Sequence, residues 1–209
     1  EEINYKKKYF KNLYQKIKNE INSKGNVLEI GSYYGVFSNI AKQNINNLHS
    51  LELSHHAREY AKKFYDINSI GDDPLKYLEK KRDFFHNILM FDVIEHLDEP
   101  FNLFKNVEYS LKPDGKFIFT TFDMDTIVPK LLGKNYHWIM PMHKYYFSRK
   151  TLQHYLKKNN LEIYKVMNDE RTISLDYLNY KLCILFPKLK KLINLFLDYE
   201  FLKKKNIII

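Results

Sequence analysis

The chain has 209 residues, 44% of them hydrophobic, with 34 Lys+Arg against 25 Asp+Glu for a net charge of +9. That content supports a sizeable core in one domain with an appended piece, and the single cysteine, Cys183 in the apolar run LCILF, excludes an internal disulfide and fits a reducing compartment. The lysines are spread along the chain without a nucleic-acid motif, and no apolar run is long enough to cross a bilayer, so neither nucleic acid nor a membrane span is the first expectation.

Residues 1–22 predict an amphipathic helix, with Tyr9, Phe10, Leu13, Tyr14 and Ile17 at helical spacing. NVLEI (26–30) is a buried strand by its apolar content. Gly31 and Gly35 follow it, and VFSNIAKQN then has helical spacing. LHSLEL (48–53) is a second strand, and SHHAREYAKKFY (54–65) a helix with Ser54 as N-cap. INSI (67–70) predicts a short third strand. The next helix starts with Asp73 as cap and Pro74 in the first helical position, where a missing N–H costs nothing. FHNILMF (85–91) is a fourth strand, EPFNLFKNVEYSLK a helix, PDG (113–115) a turn and KFIFTT (116–121) a fifth strand. Residues 122–147 are loop-rich and aromatic. SRKTLQHYLKKNN (148–160) predicts a helix, LEIYKV (161–166) a strand, and the chain from Ser174 two helical pieces broken at Pro187.

Strands alternating with helices call for a parallel sheet covered on both faces. Ligands of such sheets sit outside the carboxyl ends of the strands, where the strand order switches. Gly31 and Gly35 lie at such an end. Glu52 stands about twenty residues on, at the end of the second strand, where an acid can hold the two hydroxyls of a ribose.

In this order and at these spacings, VLEIGSYYGVF, LHSLELS, FDVIEHLDEP, LKPDGKFIFTT and HKYYFSRKTLQHYLKKNNLEI resemble the class I S-adenosylmethionine-dependent methyltransferases, over roughly residues 10 to 170. More narrowly they resemble the bacterial ubiquinone-type and polysaccharide-linked small-molecule enzymes. The resemblance implies an α/β, Rossmann-like, doubly wound and mostly parallel sheet of the seven-stranded type. Its last strand is short or missing, with NIII (206–209) the one candidate in a chain that stops there. A methyltransferase domain is expected over 1–173, with 122–147 covering the acceptor, followed by a helical extension over 174–209.

The resemblance also implies roles. Glu29, Gly31 and Gly35 shape the pocket around the methionine part of the cofactor, with Ser32, Tyr33 and Leu53 beside them. Glu52 binds the ribose hydroxyls, Asp72 faces the adenine amino group, and Phe91, Asp92 and His96 line the floor. Two positions depart from the family pattern. Tyr33 stands where a glycine is frequent, so its side chain must turn away from the cofactor or pack on it. His86 replaces an aspartate whose role is mainly structural.

An alcohol acceptor needs a base, and imidazole accepts a proton near neutral pH. His143, in the H…FS pattern that the family carries before its next helix, ranks first; His137 and His96 follow. Glu95 reads as a cap or hydrogen-bond anchor, pointing away from its neighbour His96. No two of the eight histidines share a ligand spacing, so no metal is expected.

The reading is a cytoplasmic methyltransferase using S-adenosylmethionine, with S-adenosylhomocysteine as product, acting on a hydroxyl of a sugar, a glycan precursor or a related metabolite. An RNA or protein methyltransferase and an inactive cofactor-binding homologue are the alternatives. The lysine-bearing helices over 174–205 are expected to pack on the domain or on the second subunit of a homodimer, with contact at the inner face of a membrane as the alternative.

Overall fold

The computed structural model describes residues 2–169, 172–174, 179, 182–183, 186–189 and 206–208. The chain divides into two compact units, Glu1–Thr126 with Pro141–Val166, and Ile127–Met140 with Met167–Ile209.

The first unit is built on four parallel strands: β1 (Asn26–Ile30), β2 (Asn47–Leu51), β3 (Phe85–Phe91) and β4 (Leu111–Thr120), in the order β2-β1-β3-β4. The chain runs outward from β1 to β2 and then crosses back to β3 on the other side. The switch in strand order therefore lies between β1 and β3, and in sheets of this kind the ligand crevice forms at the carboxyl ends of those strands. Around the sheet stand α1 (Glu2–Ile17), α2 (Val36–Ala41), α3 (His55–Tyr65), α4 (Pro74–Glu79), α5 (Pro100–Ser110) and, after α6 (Ile127–Leu132) of the second unit, α7 (Arg149–Lys158).

Both sheet faces are buried, and the two-residue period of a strand divides the core. Ile88 and Met90 of β3 join Leu28 and Ile30 of β1 in a cluster with Leu103, Phe104 and Val107 of α5. Leu89 and Phe91 point the other way, into Phe37 of α2 and Tyr9, Leu13, Tyr14 and Ile17 of α1. Those α1 residues are the ones whose spacing predicts the helix. The caps also stand as expected. Ser54 Oγ accepts from Ala57 N, and Asp73 accepts from the amides of Leu75 and Lys76, with Pro74 first in its helix. His86 does structural work: its Nδ1 accepts the Asn26 amide at 3.0 Å and ties the start of β1 to β3.

Three expected strands are corrected. INSI contributes only an isolated parallel bridge between Leu51 and Ile70, because Gly71 and the cap of α4 follow at once. LEIYKV forms no strand. After α7, Asn160 turns left-handed (φ 54°), and the side chains of Ile163, Tyr164 and Val166 lie in water. That segment is held by side chains instead. Lys165 and Lys116 both bind Glu20, at 2.8 and 2.7 Å, and hold its carboxyl at a pKa of about 2, with the Lys116 hydrogen bond the larger cause. The expected seven-stranded sheet therefore has four strands among the described residues. The terminal run gives β6 (Asn206–Ile208), which pairs antiparallel with β5 (Thr172–Ser174) in the second unit and not with the main sheet. The helices expected over 174–205 fall largely outside the described residues. No helix among the described residues is long and apolar enough to cross a membrane.

Candidate functional site

The carboxyl end of β1 leads into a tight turn in which Gly31 (φ 75°), Tyr33 (φ 47°) and Gly35 (φ 73°) are all left-handed. A Cβ on Gly31 would lie 2.4 Å from Val93 Cγ2, and one on Gly35 would lie 2.9 Å from the Ala61 Cβ. Both glycines are thus required by backbone conformation and by close packing. Their amides are not held open for a ligand. Gly31 N and Ser32 N both donate to the Leu51 carbonyl, and Gly35 N donates to Ser32 O. The turn is pinned to β2 through the Leu51 carbonyl.

The acid at the end of β2 completes this pinning. Tyr33 N donates to Glu52 Oε2 at 2.7 Å and Ser54 N to Oε1 at 2.8 Å. A carboxylate offers about four lone-pair sites, so the oriented Glu52 keeps acceptor capacity for a pair of hydroxyls. Arg58 of α3 clamps the same corner by donating to the Glu52 and Leu53 carbonyls. Leu53 is 63% exposed at this corner. Asp72 follows the Leu51–Ile70 bridge, accepting the Asp73 amide and standing 3.7 Å from Lys80 Nζ. Tyr33 turns its ring out, 42% exposed, against Tyr34 (centroids 3.9 Å) and under Lys6 Nζ (4.3 Å).

Beneath the turn lies a polar relay that the sequence did not reveal. Alternation places buried Glu29 on the α2 side of β1, where Ser38 Oγ donates to Glu29 Oε2 and Ser50 Oγ lies 2.6 Å from Ser38 Oγ. Burial pushes the Glu29 carboxyl up to about 7, and the nearby Glu52 charge adds to the shift against the Ser38 hydrogen bond. Ser32 is buried too, its hydroxyl 3.1 Å from that of Ser69. The signal for the relay was a serine on the buried face of an apolar helix.

The opposite wall starts where β3 ends. Phe91 does not line a floor with its ring, which packs at 4.7 Å from Phe37 in the core. Asp92 is left-handed (φ 55°) and accepts the Thr120 hydroxyl at 2.9 Å, while its amide donates to Thr120 Oγ1. A 3-10 turn over Ile94–His96 follows. The segment carrying His143 is stitched onto this turn. Lys144 N and Tyr145 N both donate to the Glu95 carbonyl, Tyr145 Oη donates to the Asp98 carbonyl, and Lys144 Nζ pairs with Asp98. The His96 and His143 rings meet edge to face at 4.7 Å. His96 Nδ1 lies 3.0 Å from the Met142 carbonyl, so Nδ1 carries the hydrogen and Nε2 the lone pair. Glu95 is an anchor as expected, yet it does not point away from its neighbour. One oxygen of Glu95 and one nitrogen each of His96 and His143 lie within 4.8 Å of one another. His137 belongs to the second unit, its ring edge-on to Tyr136 and tilted against Trp138.

A family model described as a methyltransferase domain matches residues 3–166. No curated protein matches the chain. Among solved structures, a methyltransferase of Thermotoga maritima, titled a possible histamine N-methyltransferase, is 23% identical with TM-score 0.62, over 80% of this chain and 77% of that one. A methyltransferase structure of Bacillus halodurans is 12% identical with TM-score 0.65, over 91% and 84%. The magnesium protoporphyrin IX methyltransferase of Synechocystis, solved with bound SAH, is 15% identical with TM-score 0.59, over 80% and 77%. At these identities the likeness is one of fold.

Proposed function

Because the chain belongs to the methyltransferase-domain family, whose cofactor is S-adenosylmethionine, we propose that it moves a methyl group to the hydroxyl of a small-molecule acceptor, such as a sugar or glycan precursor. The observation that carries this reading is the pairing, at one sheet edge, of an oriented ribose-type acid with two facing imidazoles. Kinship with ubiquinone-type and polysaccharide-linked enzymes is part of the same proposal and rests on the order of the motifs.

The residues fit the cofactor by their donor set. Glu52, already aimed by two amides, receives the ribose hydroxyls, and Asp72 accepts from the adenine amino group. In the Gly31–Gly35 turn the amides of Gly31, Ser32, Tyr33 and Gly35 are all engaged within the fold, so they are not the free amides that a phosphate would need. The cofactor supplies an already activated sulfonium methyl, so the protein's task is alignment and removal of the acceptor's proton. That proton goes to the imidazole pair. His143 is one member. His96 is the one whose tautomer is fixed, with its Nε2 lone pair set by the Met142 carbonyl.

Titration calorimetry with S-adenosylhomocysteine and radiolabelled methyl transfer into fractionated extract test the reading together. Glu52→Ala removes a charge-assisted acceptor of two hydroxyls, which contributes about 1.5–3 kcal/mol, so affinity falls about ten- to a hundredfold. Label is expected in the small-molecule or glycan fraction. Label in RNA or protein alone would move the acceptor to a macromolecule, and failure to bind S-adenosylhomocysteine would end the reading.

A further inference from the structure

Glu95, His96 and His143 form more than a base and its neighbour. Their three donor atoms come from two chain segments, yet lie within 4.8 Å of one another. Glu95 and His143 are buried, and His96 is half-buried. The two segments are locked together by backbone: Lys144 N at 2.8 Å and Tyr145 N at 3.2 Å donate to the Glu95 carbonyl. His96 gives its Nδ1 hydrogen to the Met142 carbonyl, which belongs to the residue preceding His143. A ring nitrogen held by a carbonyl with its partner nitrogen presenting a lone pair is the outer-shell arrangement of metal-bound histidines.

We propose that Glu95, His96 and His143 bind one divalent transition-metal cation. Two imidazoles and a carboxylate suit zinc, cobalt, manganese or iron(II), whereas magnesium and calcium favour oxygen-only sets. Three protein ligands leave coordination positions open, as catalytic centres do and closed structural centres do not. With bonds of about 2.1 Å, donors around a tetrahedral ion stand about 3.4 Å apart, so loading needs no pair of donors to close by more than about 1.4 Å. Under the methyltransferase reading, an open position would take the acceptor's oxygen and acidify its hydroxyl, whose proton leaves to solvent water; the two imidazoles then serve as ligands, and this replaces their proton-accepting role. Only this last step rests on that reading; the binding itself does not.

Cobalt(II) alone is the probe, added to tag-free, chelator-stripped full-length protein at neutral pH, with bound metal also measured by elemental analysis. One equivalent is expected, with visible d–d absorption, displaced by zinc and not by magnesium. His96→Ala, His143→Ala and the near-isosteric Glu95→Gln are each expected to weaken cobalt binding at least about tenfold, with folding checked by thermal melting. S-adenosylhomocysteine binding is measured on the same stripped protein. If that binding persists while no cobalt equivalent is taken up, or if cobalt binds equally to Glu95→Gln and His143→Ala, the cation site is overturned and the methyltransferase reading stands. Cobalt binding that depends on all three residues, without any binding of S-adenosylhomocysteine, supports the site and fails the function.

Discussion

The two walls of the crevice are built by different means. On the β1–β2 side, everything from Gly31 to Ser54 lies within one stretch of chain, and the turn's amides are consumed by Leu51, Ser32 and Glu52. On the β3–β4 side, His96 meets the Met142 carbonyl across 46 residues of sequence, and the wall exists because two loops share hydrogen bonds at Glu95. The first wall is held by the left-handed turn and by its contacts with the end of the next strand, the second by stitching between two loops far apart in sequence. Substitutions on the first wall should therefore act through backbone strain and burial, and they touch the second only where a side chain bridges the two.

Val93 is such a bridge. It lies at the end of β3, one residue before the 3-10 turn that carries Glu95 and His96, and it occupies the space a Gly31 Cβ would need. Gly31→Ala adds a left-handed cost of about 1–2 kcal/mol and an overpacking cost of about 1–3 kcal/mol. A loss of about 2–5 kcal/mol in urea unfolding is expected. The double variant Gly31→Ala/Val93→Ala should recover the steric share and keep the conformational one. If the two changes are simply additive, Val93 does not couple the walls.

The relay under the first wall predicts a smaller effect with a clear pH signature. The folded carboxyl of Glu29 titrates near 7, above its ordinary 4.5, because burial disfavours the charge. The folded state therefore holds this proton more tightly than the unfolded chain. Its contribution to stability is full below the unfolded value and is lost as pH rises through about 7. Glu29→Gln cannot ionise. Relative to wild type it should gain up to about 3 kcal/mol between pH 4 and pH 8.5, whatever fixed cost the amide carries. Urea midpoints for both proteins at the two pH values check this, and a gap that does not move with pH would show Glu29 titrating as an ordinary carboxyl.

The difference between the walls also explains what the sequence could reveal. Features decided within a few residues were legible: the caps Ser54 and Asp73, the glycine turn, the acid that follows β2 and the amphipathic face of α1. Features decided by a distant partner were not. Nothing in LEIGSYYG says that its amides are taken by Leu51. Nothing in LEIYKV says that Asn160 turns the chain and leaves Tyr164 in water. Spacing along the chain could not show that Glu95, His96 and His143 converge, because the donors come from two segments far apart in sequence. The family resemblance implied Phe91 on the floor of the site, but strand alternation turns its ring into the core.

The smallest expected effect isolates the backbone contribution at the first wall. Tyr33 holds a left-handed conformation at φ 47°, which costs an ordinary L-residue about 1–2 kcal/mol and costs asparagine less. That conformation aims the Tyr33 amide at Glu52 Oε2, so the orientation of the Glu52 carboxylate depends on it. Removing the ring alone would mix this effect with the lost Tyr34 contact and the Lys6 contact, each about 0.5–1 kcal/mol at an exposed site. Comparing Tyr33→Asn with Tyr33→Ala cancels those losses, because both variants lack the ring. Asparagine should be the more stable by about 0.5–1 kcal/mol in urea unfolding, with the tighter S-adenosylhomocysteine binding of the two. Alanine equal to asparagine in both measurements would mean that the turn relaxes out of the left-handed region, and that Glu52 is positioned by the Ser54 amide and not by Tyr33.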